Sequence, residues 1–222
     1  MPNQVNEAIQ THYSRLDMGG VILAALEKVG KDLDHLTPED LAPVDEFHIR
    51  GRAATLELAR AAGLDANKHV LDVGCGIGGT SRCLSREFGC RVTGIDLTDE
   101  YCLAAAMLSS KVGLADLVDY HQGDATDLPF DDNMFDVVWT EHVAMNIPDK
   151  TKLYQELWRV LKPGGNFVCL EATKIKIPLV KFFSDLYTNK IIPTGARLLG
   201  KNQRAYEYLP ASVEHFWSTE EF

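Results

Sequence analysis

The stretch His69-Val-Leu-Asp-Val-Gly-Cys-Gly-Ile-Gly-Gly-Thr-Ser81 decides the fold of this chain. A short apolar run carries an acid near its end, a glycine loop follows, and the last residues can start a helix. Such a stretch is a buried strand turning sharply, so that backbone N–H groups and a helix N-terminus face a ligand. Gly74, Gly76 and Gly79 satisfy the dinucleotide fingerprint G-x-G-x-x-G. Asp72, Gly74, Gly76 and Gly78 also satisfy D-x-G-x-G-x-G, in which an acid precedes the loop. The two patterns imply different cofactors, and the rest of the chain has to separate them.

Outward from the loop, strand and helix patterns alternate. The apolar runs predict strands at His69–Val73, Arg91–Asp96, about Val118–His121, Phe135–Trp139 and Asn166–Leu170. Helical patterns fall between them at Thr80–Phe88, from Thr98 onward, and at Lys150–Leu161. This is the pattern of an α/β chain: a Rossmann-like, doubly wound, mainly parallel sheet with right-handed crossovers. Residues 1–62 read as a helical annex, with one segment broken at Gly19-Gly20 and a short helix started at Thr37-Pro38-Glu39-Asp40 and stopped at Ala42-Pro43. A further amphipathic helix runs from Gly51 to Ala62, with Leu56, Leu58 and Ala59 on its apolar side. The expected division is a helical lid at 1–62, a core at 63–172 and an aromatic-rich cap at 173–222.

Ligands of doubly wound sheets bind beyond the carboxyl ends of the strands. Asp72, Asp96, Asp124 and Glu141 fall at or just beyond four consecutive strand ends, so one site can collect them. An acid about twenty residues after the loop, here Asp96, accepts hydrogen bonds from ribose hydroxyls in more than one cofactor class. Asp72 is the discriminator. A carboxylate two residues before Gly74 sits poorly beside a pyrophosphate, because like charges repel in a partly desolvated pocket. It suits a cationic ligand.

These elements together resemble the class I S-adenosylmethionine-dependent methyltransferases. The resemblance covers about residues 67–172 and is carried by Asp72-Val-Gly-Cys-Gly-Ile-Gly78, Ile95-Asp96, Gly123-Asp124-Ala125, Phe135-Asp136 and Leu161–Gly165. It implies S-adenosylmethionine as cofactor and S-adenosylhomocysteine as product. Asp72, Gly74, Cys75, Gly76 and Gly78 would then hold the methionine end, Asp96 and Leu97 the ribose and adenine, and Asp124 and Ala125 the adenine. Glu141 and His142 would line the space between cofactor and acceptor, with His142 the candidate general base if the acceptor must lose a proton. Tyr13, His48 and Met145 would be lid or substrate contacts.

Two branches of the class are in view. Thr140-Glu-His-Val-Ala-Met-Asn-Ile-Pro-Asp-Lys150, with the preceding Gly78-Gly79-Thr-Ser-Arg82, and Phe47-His48-Ile-Arg-Gly51 look like the sarcosine and dimethylglycine type of small-amine methyltransferase. Arg159–Thr173 and the segment from Ile191 to Ser212 look like the ubiquinone/menaquinone-biosynthesis methyltransferases. That branch has a Ser where this chain has Thr173. Its Tyr-Asp-x-Met-Asn signature is replaced by Tyr13-Ser-Arg-Leu-Asp. The class has seven strands, whereas five are read here and the expected last two are absent. Strand five is therefore expected to be an exposed edge or to be covered by the partner of a homodimer.

Composition sets the outer bounds. A formal net charge of −10 without a basic run argues against nucleic acid, whose phosphates need clustered Lys and Arg. The apolar runs are too short to span a bilayer, and the first ten residues lack the basic and apolar regions of a signal peptide. Five cysteines without a C-x-x-C pair read as reduced core residues of a cytoplasmic protein, and no cluster has metal-ligand spacing. The expected function is methyl transfer from S-adenosylmethionine to an N, O or C nucleophile of a small molecule. Two alternatives stay open: a non-catalytic module that only binds the cofactor, and an NAD-dependent oxidoreductase.

Overall fold

The computed structural model of the chain describes residues 17–45 and 50–171, and every structural statement below concerns these. They fall into two compact units, residues 17–141 with 149–169 and residues 142–148 with 170–171.

The first unit opens with helix α1 (Met18–Lys28). The expected break at Gly19-Gly20 is not there: both glycines lie in its first turn, where the Asp17 carboxylate accepts from Gly20 N at 3.0 Å. A side chain on Gly19 would collide with Met107, so the glycine lets α1 approach its neighbour closely. Helix α2 (Pro38–Asp45) starts where Thr37 and Asp40 predict, with Asp40 Oδ2 accepting from Thr37 N at 2.8 Å. It runs through Pro43 instead of stopping there. Pro43 is exposed, and the helix is anchored by fully buried Leu41 rather than by a hydrogen bond from residue 43. Leu41 packs with Ile22, Leu26, Leu36 and Leu108 into one apolar cluster. Each such leucine contributes about 1.5–3 kcal/mol when fully buried.

Helix α3 (Gly51–Ala61) buries Ala54, Thr55 and Ala59, a smaller face than its leucines suggest. The sheet follows: β1 (His69–Val73), β2 (Arg91–Asp96), β3 (Val118–Gln122), β4 (Phe135–Glu141) and β5 (Leu161–Leu170), in the order β3-β2-β1-β4-β5. The pairs β1–β2, β1–β4 and β2–β3 are parallel, and the strand order reverses between β1 and β4. Helices α4 (Gly79–Phe88), α5 (Asp99–Lys111) and α6 (Lys150–Val160) are the crossovers. Val70, Val92, Val118, Val137 and Trp139 form one apolar face of the sheet, packed with Ala59 of α3 and Leu84 of α4.

The last strand begins five residues earlier than its apolar run suggests. Lys162-Pro-Gly-Gly165 is part of β5, with Gly164 at φ 78°. Pro163 has no N–H to give, and β5 is the outer strand among the described residues, where that loss is tolerated. No described helix is long and apolar enough to cross a membrane.

In the second unit a 3₁₀ turn spans Ala144–Asn146. Glu171 Oε1 accepts from Val143 N and Ala144 N at 2.8 and 2.7 Å, and His142 N donates to Leu170 O at 2.9 Å.

Candidate functional site

The site is built by the ends of β1, β2 and β4. Parallel pairing sets Val73 against Ile95 and Thr140, so the residues that follow these strands leave the sheet side by side. The loop after β1 then folds onto the end of β2. Gly74 N and Cys75 N both donate to Ile95 O, at 2.7 and 3.1 Å, and Gly78 N donates to Cys75 O at 2.9 Å. Gly78 takes φ 83°, and a Cβ there would run into the Tyr120 ring and the Arg82 guanidinium. Only glycine fits both constraints.

Asp96 closes the loop from the other side. Its Oδ2 accepts from Gly76 N at 3.0 Å and its Oδ1 from Thr98 N at 2.9 Å. A carboxylate has about four acceptor positions, and the Thr98 hydroxyl and Leu97 N–H also act on this one. Burial raises the Asp96 pKa, and the N–H groups of Thr98 and Gly76 pull against that rise. Further along, Gly123 N donates to Asp96 O at 2.9 Å, and Asp124 Oδ1 accepts from Thr126 N and Oγ1, both at 2.8 Å. Gln122 Nε2 donates to Leu97 O at 3.1 Å, so Leu97 and the 123–126 turn share the rim of β2 and β3.

Asp72 is 2% exposed and accepts from Ser81 Oγ at 2.6 Å. Its pKa is pushed up to about 7, chiefly by burial, against the Ser81 hydrogen bond and with help from the charges of Glu141 and Asp96. Asp72 therefore lies within reach of two other carboxylates. Glu141, at the end of β4, accepts from Thr80 Oγ1 at 2.6 Å and from Thr55 Oγ1 at 3.3 Å. Such a cluster lowers its own energy by taking up a proton or a cation. A Cβ built on Gly76 meets nothing within 4 Å, so the loop leaves open space beside its backbone. A ligand with a sulfonium, an ammonium and ribose hydroxyls matches these acceptors and charges. A pyrophosphate does not.

The structure thus brings together Asp72, Gly74, Cys75, Gly76, Gly78, Asp96 and Glu141, with Leu97, Asp124 and Ala125 on the adjoining rim. His142 and Met145 belong to the second unit, where His142 takes φ 56° and Met145 is buried. Tyr13 and His48 lie outside the described residues. Sequence reasoning quoted Thr80, Ser81 and Arg82 for a family resemblance but gave them no role in the site, and it missed Thr55; the three hydroxyls bond the acids, and Arg82, 1% exposed, holds Ile77 O at 2.7 Å. Their signal was weak but present: Gly79, Arg82 and Ser85 share one helical face, and small neighbours leave room for a buried guanidinium.

A groove of about 520 Å³ lies at the opposite end of the same strands, lined by His69, Arg91, Asp119, His121, Phe130 and Met134 among others. Its polar groups satisfy each other in a chain: His69 Nε2 with Thr93 Oγ1 at 3.0 Å, Thr93 Oγ1 to Asp119 at 3.1 Å, and His121 Nε2 with Asp119 at 2.8 Å. The carboxylate cluster at the carboxyl ends is the better ligand site. No group of three or more metal-ligating side chains stands together among the described residues.

A doubly wound sheet with an acid before its first glycine loop and another at the end of β2 defines the class I S-adenosylmethionine-dependent methyltransferases. Within that class the chain belongs to the ubiE/COQ5 methyltransferase family, whose model matches residues 47–222. The chain is 36% identical over 157 residues to a demethylmenaquinone methyltransferase of Lactiplantibacillus plantarum, a match covering 70% of this chain and 66% of the relative. The chain thus spans about two thirds of the length of the curated relatives it matches. Among solved structures it is similar to the [4+2]-cyclase SpnF, with 31% identity, a TM-score of 0.55 and coverage of 57% of this chain and 47% of that one. It is also similar to geranyl diphosphate C-methyltransferase from Streptomyces coelicolor A3(2) in complex with Mg2+, geranyl diphosphate and S-adenosyl-L-homocysteine. That likeness has 28% identity, a TM-score of 0.50 and coverage of 53% and 44%.

Proposed function

We propose that the chain binds S-adenosylmethionine at the carboxyl ends of β1, β2 and β4 and transfers its methyl group to a small-molecule acceptor. The observation that carries this is the set of three carboxyl groups around the glycine loop: Asp72, buried and held by Ser81, Asp96, which holds Gly76 N, and Glu141, which holds Thr80. When bound, S-adenosylmethionine supplies a methyl group already activated on a sulfonium. The chain's own residues then orient and exclude water. Asp72 and Glu141 face the cationic end, Asp96 accepts from the ribose, and Leu97, Asp124 and Ala125 hold the adenine. His142 follows Glu141 in sequence and is the proposed base where the acceptor must give up a proton. Tyr13, His48 and Met145 are proposed acceptor or lid contacts within a lid at 1–62, a core at 63–172 and a cap at 173–222.

The family and the demethylmenaquinone methyltransferase among its relatives support an electron-rich quinol-type ring methylated on carbon. Five cysteines without a disulfide support a reducing, cytoplasmic setting. A homodimer covering the outer edge of β5 is proposed as well, and light scattering of the full chain decides it.

The test is calorimetry with S-adenosylmethionine, S-adenosylhomocysteine and NAD, followed by turnover to S-adenosylhomocysteine over amines, phenols and quinols. Binding of the sulfonium with turnover on quinols is the expected result. Binding of NAD alone overturns the cofactor, and turnover on amines alone overturns the acceptor. Tight binding without turnover on any acceptor supports a non-catalytic module.

A further inference from the structure

The buried guanidinium of Arg82 has no part in the reaction as described, yet it is one of the largest fully buried side chains of the chain. Its Nε donates to Asp45 Oδ2 at 3.2 Å, and its Nη2 pairs with Asp45 Oδ1. Its Nη1 donates to Ile77 O at 2.7 Å and reaches Ala105 O and Ser109 Oγ, both at 3.4 Å. One side of the fork thus holds the last residue of α2, and the other holds the glycine loop and α5. A buried ion pair of this kind is poor evidence of stability, because well-packed apolar residues often do as well. What it does supply is geometry.

That geometry falls on one peptide plane. Ile77 C=O and Gly78 N–H belong to the same peptide unit; Arg82 holds the carbonyl, and Cys75 O accepts the N–H at 2.9 Å. Gly76 N–H is fixed in turn by Asp96. With Gly76 and Gly78 both at positive φ, this plane is the part of the loop that glycine leaves free to flip. Arg82 removes the freedom. Asp45 sets where the guanidinium stands, and the Asp45 backbone packs so closely on Gly79 that a Cβ there would overlap it.

We propose that Arg82 is a positioning residue for the cofactor, locking the Ile77–Gly78 peptide through its ion pair with Asp45, so that the loop's shape depends on the seating of α2. This rests on the cofactor site proposed above. Lysine has one ammonium where arginine has a fork, so it cannot hold Asp45 and Ile77 O together. Arg82→Lys is therefore expected to raise the KM and Kd for S-adenosylmethionine about tenfold or more, with kcat at saturating cofactor changed less than about threefold. Asp45→Asn, the milder variant, keeps an acceptor and is expected to shift cofactor affinity in the same direction by a smaller factor.

Hydrogen exchange gives the readout that needs no cofactor. In both variants the amides of Gly76 and Gly78 should exchange faster, while those of α6 around Leu157 stay as in the wild type. Folded variants with wild-type cofactor affinity and wild-type loop exchange overturn the proposal. So does faster exchange spread equally over α6, which marks a merely structural role. If the wild type binds no S-adenosylmethionine, the functional reading fails, and the exchange experiment still decides the clamp.

Discussion

Ser81 Oγ donates to the buried carboxyl of Asp72 at 2.6 Å, tying the first turn of α4 back to the strand that precedes the loop. The bond stabilises the ionised form of Asp72, yet burial outweighs it and the pKa rises to about 7. An acid that stays protonated in the folded chain, close to neutrality, links folding and ligand charge to pH.

The stability consequence has a definite sign. Unfolded, Asp72 ionises near 3.8; folded, it keeps its proton to about 7. The folded state binds more protons between these values, so the stabilising contribution is full below about pH 4 and lost as pH rises through 7. Cofactor-free wild type should lose melting temperature relative to Asp72→Asn across this window, because the amide does not titrate. Parallel melting curves for the two proteins from pH 4 to 8 would show that Asp72 ionises as freely folded as unfolded.

A cationic ligand reverses the preference. S-adenosylmethionine favours the ionised carboxylate, so its binding near or below pH 7 must release protons. Its affinity is expected to tighten between about pH 6 and pH 8 in the wild type. The slope should flatten in Asp72→Asn. Calorimetry in buffers of different ionisation enthalpy counts the released protons directly, and a count of zero at pH 6.5 would remove Asp72 from the cation's surroundings.

Most of the sheet was legible because its strands are short, apolar and bounded by acids or glycines. β1 and β2 run over the residues their patterns predict. Where the reading went astray, a local rule met a tertiary contact. Pro43 did not end α2, since fully buried Leu41 holds that helix in place. Gly19-Gly20 did not break α1, because Asp17 caps the turn they form and Gly19 lets that turn pack against Met107 of α5. In the site, the acids announced themselves at strand ends, but the groups that hold them did not. Ser81, Thr80 and Thr55 are ordinary helix residues in sequence, and only the crossover of α4 and the docking of α3 bring their hydroxyls to Asp72 and Glu141.

Asp96 has two duties that a substitution can separate. It holds Gly76 N and Thr98 N, and it is the proposed acceptor for ribose. Asp96→Ala loses both and is expected to weaken S-adenosylmethionine binding at least about tenfold, equivalent to about 1.4 kcal/mol. It should also lower stability by about 1–3 kcal/mol, the usual penalty for leaving buried donors without a partner. Asp96→Asn keeps an acceptor oxygen and should lose less stability than affinity. Unchanged calorimetric affinity in Asp96→Ala means that the ribose is held elsewhere.

Gly79 offers a test of how closely α2 seats on the start of α4. It is the first residue of α4, and alanine there should favour the helix by a fraction of the roughly 1 kcal/mol that separates the two residues in helix interiors. The surroundings forbid it. A Cβ on Gly79 would overlap the Asp45 carbonyl oxygen and stand 2.8 Å from Asp45 Cα and 2.9 Å from its Cβ. Two of these three atoms are backbone, so α2 would have to move as a whole, and overpacking of this kind typically costs about 1–3 kcal/mol. Gly79→Ala is therefore expected to melt below the wild type, whereas Ser110→Ala, on the exposed side of α5, should match or slightly exceed it. Shifting α2 also moves Asp45, and with it the partner of Arg82, so the loss in Gly79→Ala should include weaker cofactor binding. A Gly79→Ala protein that melts at or above the wild-type temperature and binds cofactor normally would mean that the last turn of α2 does not rest on the glycine loop in solution.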